Sequence, residues 1–284
     1  MTNEKKKVAG YSVLAAVFLT TFKFLIGILT GSLGLLSEAL HSGLDLIAAV
    51  VTLFSVSISD RPPDSRHNYG HGKIENFSAF IETILLLITC IWIIYEALHR
   101  LITGKTDIEV TIWSYLVVAI SILVDYSRSR ALARVAKKYN SQALEADALH
   151  FSTDIWSSSV VFLGLVCANF GFFFADSLAA LVVAAIVILV CYRLGKRSID
   201  VLLDRSPGEL YKKVEKLMQC EEDVKFFHNL SIRSSGADTF VAVNIHVNKD
   251  LTSGRAHLIC DRIESDIKKI IDRCYIIIHV EPEV

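Results

Sequence analysis

The chain has 284 residues, 52% of them hydrophobic and 21% charged, with a mean hydropathy of +0.46; soluble domains carry nearer 25% charge, so an ordinary soluble globule is excluded. A formal net charge of −1 lacks the basic excess that nucleic acid requires, and no nucleic-acid partner is expected. Charge is also unevenly placed. Residues 205–284 hold 12 Lys/Arg and 13 Asp/Glu, 25 of the 59 charges in the chain, which divides an apolar domain, residues 1–204, from a compact polar one, residues 205–284. With four prolines and no low-complexity run, there is little room for disorder.

Crossing ~30 Å of hydrocarbon as a helix takes about 20 apolar residues, and a chain in lipid must satisfy its backbone internally. Six stretches qualify: 8–29, 33–58, 77–98, 108–124, 146–174 and 177–194. The first follows Met1-Thr-Asn-Glu-Lys-Lys-Lys; it is too long for a signal-peptide core and lacks a small-residue cleavage site. Lys5, Lys6 and Lys7 flank the first span, and Arg61, Arg66 and Lys73 lie between the second and third. Arg128, Arg130, Arg134, Lys137 and Lys138 follow the fourth, and Arg193, Lys196 and Arg197 the sixth, whereas the other side offers only Arg100 and Lys105. The positive-inside rule therefore predicts a multi-pass protein of the cell (inner) membrane with both termini and the polar domain in the cytoplasm. That polar domain reads as helix 208–220, strands 227–233 and 239–247, helix 251–271 and strand 275–281. This α-β-β-α-β order makes a small three-stranded α/β domain with its helices on one face. Six cysteines without a Cys-x-x-Cys pair form neither a disulfide framework nor a thiolate zinc site; they read as small buried hydrophobes.

Two of the spans are not uniformly apolar. The second contains His41-Ser-Gly-Leu-Asp45 and the fifth His150-Phe-Ser-Thr-Asp154. Residues four apart share a helix face, so each helix presents an imidazole and a carboxylate together. Ionisable groups at this depth mark a pathway or a binding site by default; buried His–Asp hydrogen bonds tying helices together are the structural alternative. At 1.5 Å per residue, residue 43 lies about 15 Å from the outer boundary and residue 152 about 9 Å from the inner one, so the two motifs reach similar depth. Two imidazoles and two carboxylates neutralise a divalent cation and suit tetrahedral Zn²⁺. Such a full donor set leaves no open position for an activated water, which argues against a zinc hydrolase: the protein is not expected to be an enzyme. Glu38, Glu82, Glu96, Asp125 and Asp147 also fall in or near spans, where most are expected to snorkel or sit at a mouth.

The remaining histidines are patterned as well. Asp64, His67 and His71 are spaced to project to one side if their segment begins the third helix, giving a three-ligand metal site or a solvated loop. The polar domain holds His228, His246, His257 and His279, with Glu281 on the same strand face as His279; surface or core imidazoles are the alternative.

Taken together, the six spans, the paired His-x-x-x-Asp motifs, the Tyr69-Gly-His71-Gly-Lys-Ile-Glu75 loop and the closing Ile-Ile-His279-Val-Glu281-Pro resemble the cation diffusion facilitator family along essentially the whole chain. The resemblance implies an α-helical membrane domain of six transmembrane helices and a metallochaperone-like (ferredoxin-like) cytoplasmic domain, working as a homodimer. It implies a divalent cation efflux transporter, a Zn²⁺/H⁺ antiporter exporting zinc; a non-transporting metal sensor or scaffold, or a carrier of iron, cobalt or cadmium, is the alternative. By position, His41, Asp45, His150 and Asp154 become the transport site, and Asp64, His67 and His71 a loop site. His228, His246, His257, His279 and Glu281 match a dinuclear zinc site at the dimer interface. In this family Asp often stands where this chain has His41, and His there favours Zn²⁺; Glu281 stands where Asp is common.

Overall fold

The computed structural model describes residues 2–31, 33–103, 112–169 and 174–283; the start of the fourth expected span, 108–111, and the end of the fifth, 170–174, fall wholly or mostly outside the described residues. Six long helices come first: α1 (Thr2–Thr30), α2 (Leu33–Ser59), α3 (Lys73–Thr103), α4 (Ile112–Tyr139), α5 (Gln142–Asn169) and α6 (Phe174–Leu202). Among the described residues three are both long and apolar enough to cross a membrane on composition alone, over Asn3–Thr30, Glu38–Ser59 and Lys73–His99. The other three are of similar length, 28, 28 and 29 residues; α4 and α5 carry polar turns, and α6 is apolar over 177–194 except for Arg193. Helix α4 runs well past the expected end at residue 124 because Ala, Leu and Arg sustain a helix into water; it stops before Asn140, whose φ of 50° breaks the repeat. Helix α2 ends ahead of Pro62-Pro63, since a residue before proline is driven out of the helical region.

Two compact units result, one up to Ser198 and one from Ile199 on. In the helical unit, Val8 and Ala9 of α1, Val56 of α2, Leu132 and Val135 of α4, and Leu144, Ala148 and Phe151 of α5 form one core. A second seam joins Leu86 and Cys90 of α3 to Val183, Ala184, Val187 and Cys191 of α6. Large apolar side chains such as Leu14, Phe54, Trp92 and Leu163 face outward, as lipid-facing residues do.

The second unit carries α7 (Gly208–Gln219), β1 (Phe226–Ser235), β2 (Asp238–Val247), α8 (Ser253–Ile270) and β3 (Cys274–Pro282). The sheet order is β1-β2-β3, antiparallel between β1 and β2 and parallel between β2 and β3. A parallel pair needs a crossover connection, and α8 supplies it. Ile259, Ile263 and Ile267 of α8, with Val214 and Met218 of α7, cover Ile232, Val241, Val243 and Ile245 of the sheet. Each fully buried aliphatic side chain there contributes about 1.5–3 kcal/mol. Both helices thus lie on one face, and among the described residues of this unit no element covers the other face of the sheet.

Candidate metal site

Alternation along the strands and four-residue spacing along the helices place the donors. On α2, Asp45 shares a buried stripe with Ser42, Ala49 and Thr52; on α5, Asp147 and His150 are buried on one stripe that continues to the partly buried Asp154. The two stripes meet. His150 Nε2 lies 3.0 Å from Asp45 Oδ1 and 3.6 Å from Asp154 Oδ2, and one donor atom from each of Asp45, His150 and Asp154 falls within 4.8 Å of the other two. His41 borders the group, its Nε2 4.0 Å from Asp154 Oδ1. His150 is buried and His41 half-exposed. Both Asp154 Oδ2 and His150 Nδ1 are buried without a hydrogen-bond partner among the described residues. Unmet polar atoms at this depth are costly, and a cation drawn among the carboxylates would satisfy the oxygen.

Not all intramembrane acids snorkel as expected. Glu82, Asp125 and Asp147 are buried, at 2%, 6% and 1% exposure. Asp125 accepts from Arg128 at 3.1 Å, and Arg128 also donates to Ser12 of α1 and stacks over Phe151, 3.4 Å from its centroid. The guanidinium spreads its charge over a flat face that an aromatic ring can cover.

The 64–71 segment is not the start of α3, which begins at Lys73; Pro62, Pro63 and Gly70, at φ +76°, hold it as a turn. Asp64, His67 and His71 still converge. Asp64 Oδ1 accepts the backbone N–H groups of Arg66 and His67 at 2.8 and 2.7 Å. His67 Nδ1 is 3.3 Å from Asp64 Oδ1, and His71 Nε2 3.4 Å from Asp64 Oδ2. The two N–H groups, His67 first, hold the Asp64 carboxyl below the ordinary carboxylate range.

On the open face of the sheet, Glu281 is the hub. Its Oε2 lies 3.4 Å from His228 Nε2 and 3.2 Å from His246 Nε2, and its Oε1 3.7 Å from His279 Nε2. His228, His246 and Glu281 form a compact donor group. His257 does not join them: it lies on α8, which packs against the opposite face of the sheet, and its Nε2 is 3.7 Å from Asp261. Sequence reading missed Asn244, whose Nδ2 donates to Glu281 Oε1 at 2.8 Å. Its signal was the strand period that puts residues 244 and 246 on one face. The amide, more than the neighbouring His228, holds the Glu281 carboxyl below its ordinary range.

With this geometry, comparison with known proteins is informative. Residues 10–203 match the cation efflux transmembrane domain, and residues 206–283 the cytoplasmic domain of cation efflux proteins. The chain belongs to the cation diffusion facilitator family of cation-efflux transporters and is a multi-pass membrane protein. Among its relatives, magnetosome protein MamB of a Magnetospira species is 31% identical over 254 residues, covering 89% of this chain and 86% of the relative. The manganese efflux system protein MneP of Bacillus subtilis is 31% identical over 293 aligned residues, covering 98% and 96%. The cation-efflux pump FieF of Shewanella oneidensis is 28% identical over 275, covering 95% and 92%.

Proposed function

We propose that the protein exports a divalent metal ion, zinc by preference, in exchange for protons, and that Asp45, His150, Asp154 and His41 carry the ion across the membrane. The observation that bears most on this is the convergence of Asp45, His150 and Asp154 from two apolar helices. A small closure of His41 onto Asp154 makes a four-donor set of two imidazoles and two carboxylates, which suits zinc. The donors bind metal only when deprotonated, so metal and protons exclude one another. Alternating exposure of one such site to the two sides of the membrane then couples their opposite flows. An inward proton gradient drives export, each elementary charge being worth ~2.3 kcal/mol per 100 mV.

The excess of Lys/Arg on one side of the membrane supports cytoplasmic termini in the inner membrane. The loop group Asp64–His67–His71 and the sheet group His228–His246–His279–Glu281 read as cytoplasmic metal sites, zinc serving there as a structural or regulatory ion. Because His257 lies across the sheet from that group, it joins it only in a homodimer, whose two copies a shared metal would stabilise. The transport test is metal uptake into proteoliposomes under an imposed pH gradient, with zinc, manganese, iron, cobalt and cadmium in competition. Zinc uptake that tracks the gradient and disappears in Asp154→Ala is expected. Preferential manganese transport, as the name of MneP describes for that relative, overturns the zinc assignment; wild-type flux in Asp154→Ala overturns the site.

A further inference from the structure

Helix α3 buries two carboxyl groups that no donor group uses, Glu75, which is paired with Lys5, and Glu82. Glu82 is 2% exposed. Its Oε1 accepts from the hydroxyls of Thr52 on α2 and Ser78 one turn earlier on α3, and its Oε2 has no hydrogen-bond partner among the described residues. Asp147 on α5 is in the same condition: Oδ2 accepts from Ser12 of α1 at 3.2 Å, while Oδ1 is buried without a partner.

The charged groups around this pair can be named helix by helix. From α5, Asp147 and His150 act on Glu82. From α4, Arg128 faces the Asp147 side, but it is engaged by Asp125, Ser12 and the ring of Phe151. From α2 the nearest polar contact is the Thr52 hydroxyl, and Asp45 lies two turns away on the same stripe. Helix α6 meets α3 through an apolar seam, the Cys90 S–H bond to the Ala184 carbonyl and Gly195 beside Thr83, and its Arg193, Lys196 and Arg197 are exposed. No ion pair to Glu82 is formed among the described residues. An isolated carboxylate in such surroundings is far costlier than a neutral carboxylic acid, and a neutral acid has an O–H to carry.

We propose that Glu82, with Asp147 beside it, is a proton-binding site separate from the metal ligands, which gives up its proton as a metal ion arrives at His150 and regains it when the ion leaves. Asp147 lies three residues before His150, one helical turn away, so a divalent charge among the ligands acts on the pair through low-dielectric surroundings. The Glu82 O–H bond breaks, the proton passes to water on the side to which the site is then open, and the carboxylate left behind offsets part of the metal's charge. This rests on the reading of the protein as a metal/proton exchanger and adds a carrier to it.

Two measurements on the full-length protein test the site. In difference infrared spectra of reconstituted protein with and without Zn²⁺, the carbonyl stretch of a protonated carboxylic acid should decrease on metal addition in the wild type. It should be missing in Glu82→Gln and shifted in Asp147→Asn. In proteoliposomes, Glu82→Gln should still move zinc, with one proton fewer returned per ion. A band unchanged by Glu82→Gln, or one that ignores metal, overturns the proposal, as does an unchanged proton count. Loss of zinc flux in the wild type itself would instead overturn the exchanger reading, without touching the infrared assignment.

Discussion

Glu75 shows what a single buried residue can hold together. Its Oε1 accepts from Lys5 at 2.6 Å and Ser59 at 2.7 Å, and its Oε2 from Ser141, so α1, the end of α2 and the approach to α5 meet on one carboxylate of α3. Lys5 is 2% exposed and also pairs with Asp60 at 2.8 Å. Removing Glu75 leaves Lys5 to Asp60 alone and takes the acceptor from Ser59 and Ser141; breaking a buried pair outright costs about 3–5 kcal/mol, which bounds the loss. Glu75→Ala should therefore lower the thermal midpoint in detergent steeply, and Lys5→Met combined with Glu75→Met should recover much of the loss. In the second unit Asn244 acts through Glu281. Second partners of metal ligands are worth about 10–100-fold in affinity, so on the proposed role of the sheet group as a zinc site Asn244→Ala should weaken its zinc binding by that factor, measured by competition with a chromophoric chelator. A change confined to stability would count against the orienting role.

At the scale of elements, strand β1 explains what alternation along a sequence can and cannot reveal. His228 and Ile232 are four apart, so a regular strand would put them on one face. Yet Ile232 is in the core while His228 is beside Glu281. The register slips between His228 and Ser231, and Asn229 sits at φ 55°. One extra residue re-aims the first half of the strand, a displacement no pattern count contains. The His-x-x-x-Asp pairs were legible because helix spacing alone fixes their faces, whereas the 64–71 turn depends on proline and glycine conformations and on backbone N–H groups captured by Asp64. Helix α8 was legible through its core stripe: Ile263 is fully buried, and Ile263→Ala should cost about 2–5 kcal/mol by denaturant unfolding. Because Glu281 ionises below its ordinary range, its charge stabilises the fold above about pH 4.3 and stops doing so as pH falls through the lowered value. Glu281→Gln should flatten that acid limb of the unfolding curve in metal-free buffer.

For the whole molecule, the open sheet face sets an expectation about assembly. Phe226, Tyr275 and Ile277 are 60%, 52% and 65% exposed there, beside the donor group on the same strands. On the proposal that the donor group is shared in a homodimer, this exposed apolar surface is where the second copy would dock. Ile277→Glu should shift the protein toward monomer in sedimentation at micromolar concentration and blunt the stabilisation by zinc. The six helices and the α-β-β-α-β order were legible because length, apolarity and punctuation determine them. The burial of Glu82, Asp125 and Asp147 was not, since which acids face inward depends on partners from three other helices.

Finally, the α3–α6 seam contains a natural probe. Cys90 donates its S–H to the Ala184 carbonyl at 3.2 Å, and Cys191 lies in the same seam. Should these two helices travel as a single stiff plank while α2 and α5 swing, the thiol stretching frequency of Cys90 stays constant through the proposed cycle of loading and release. A frequency that jumps when cargo is loaded would mean instead that the plank itself flexes.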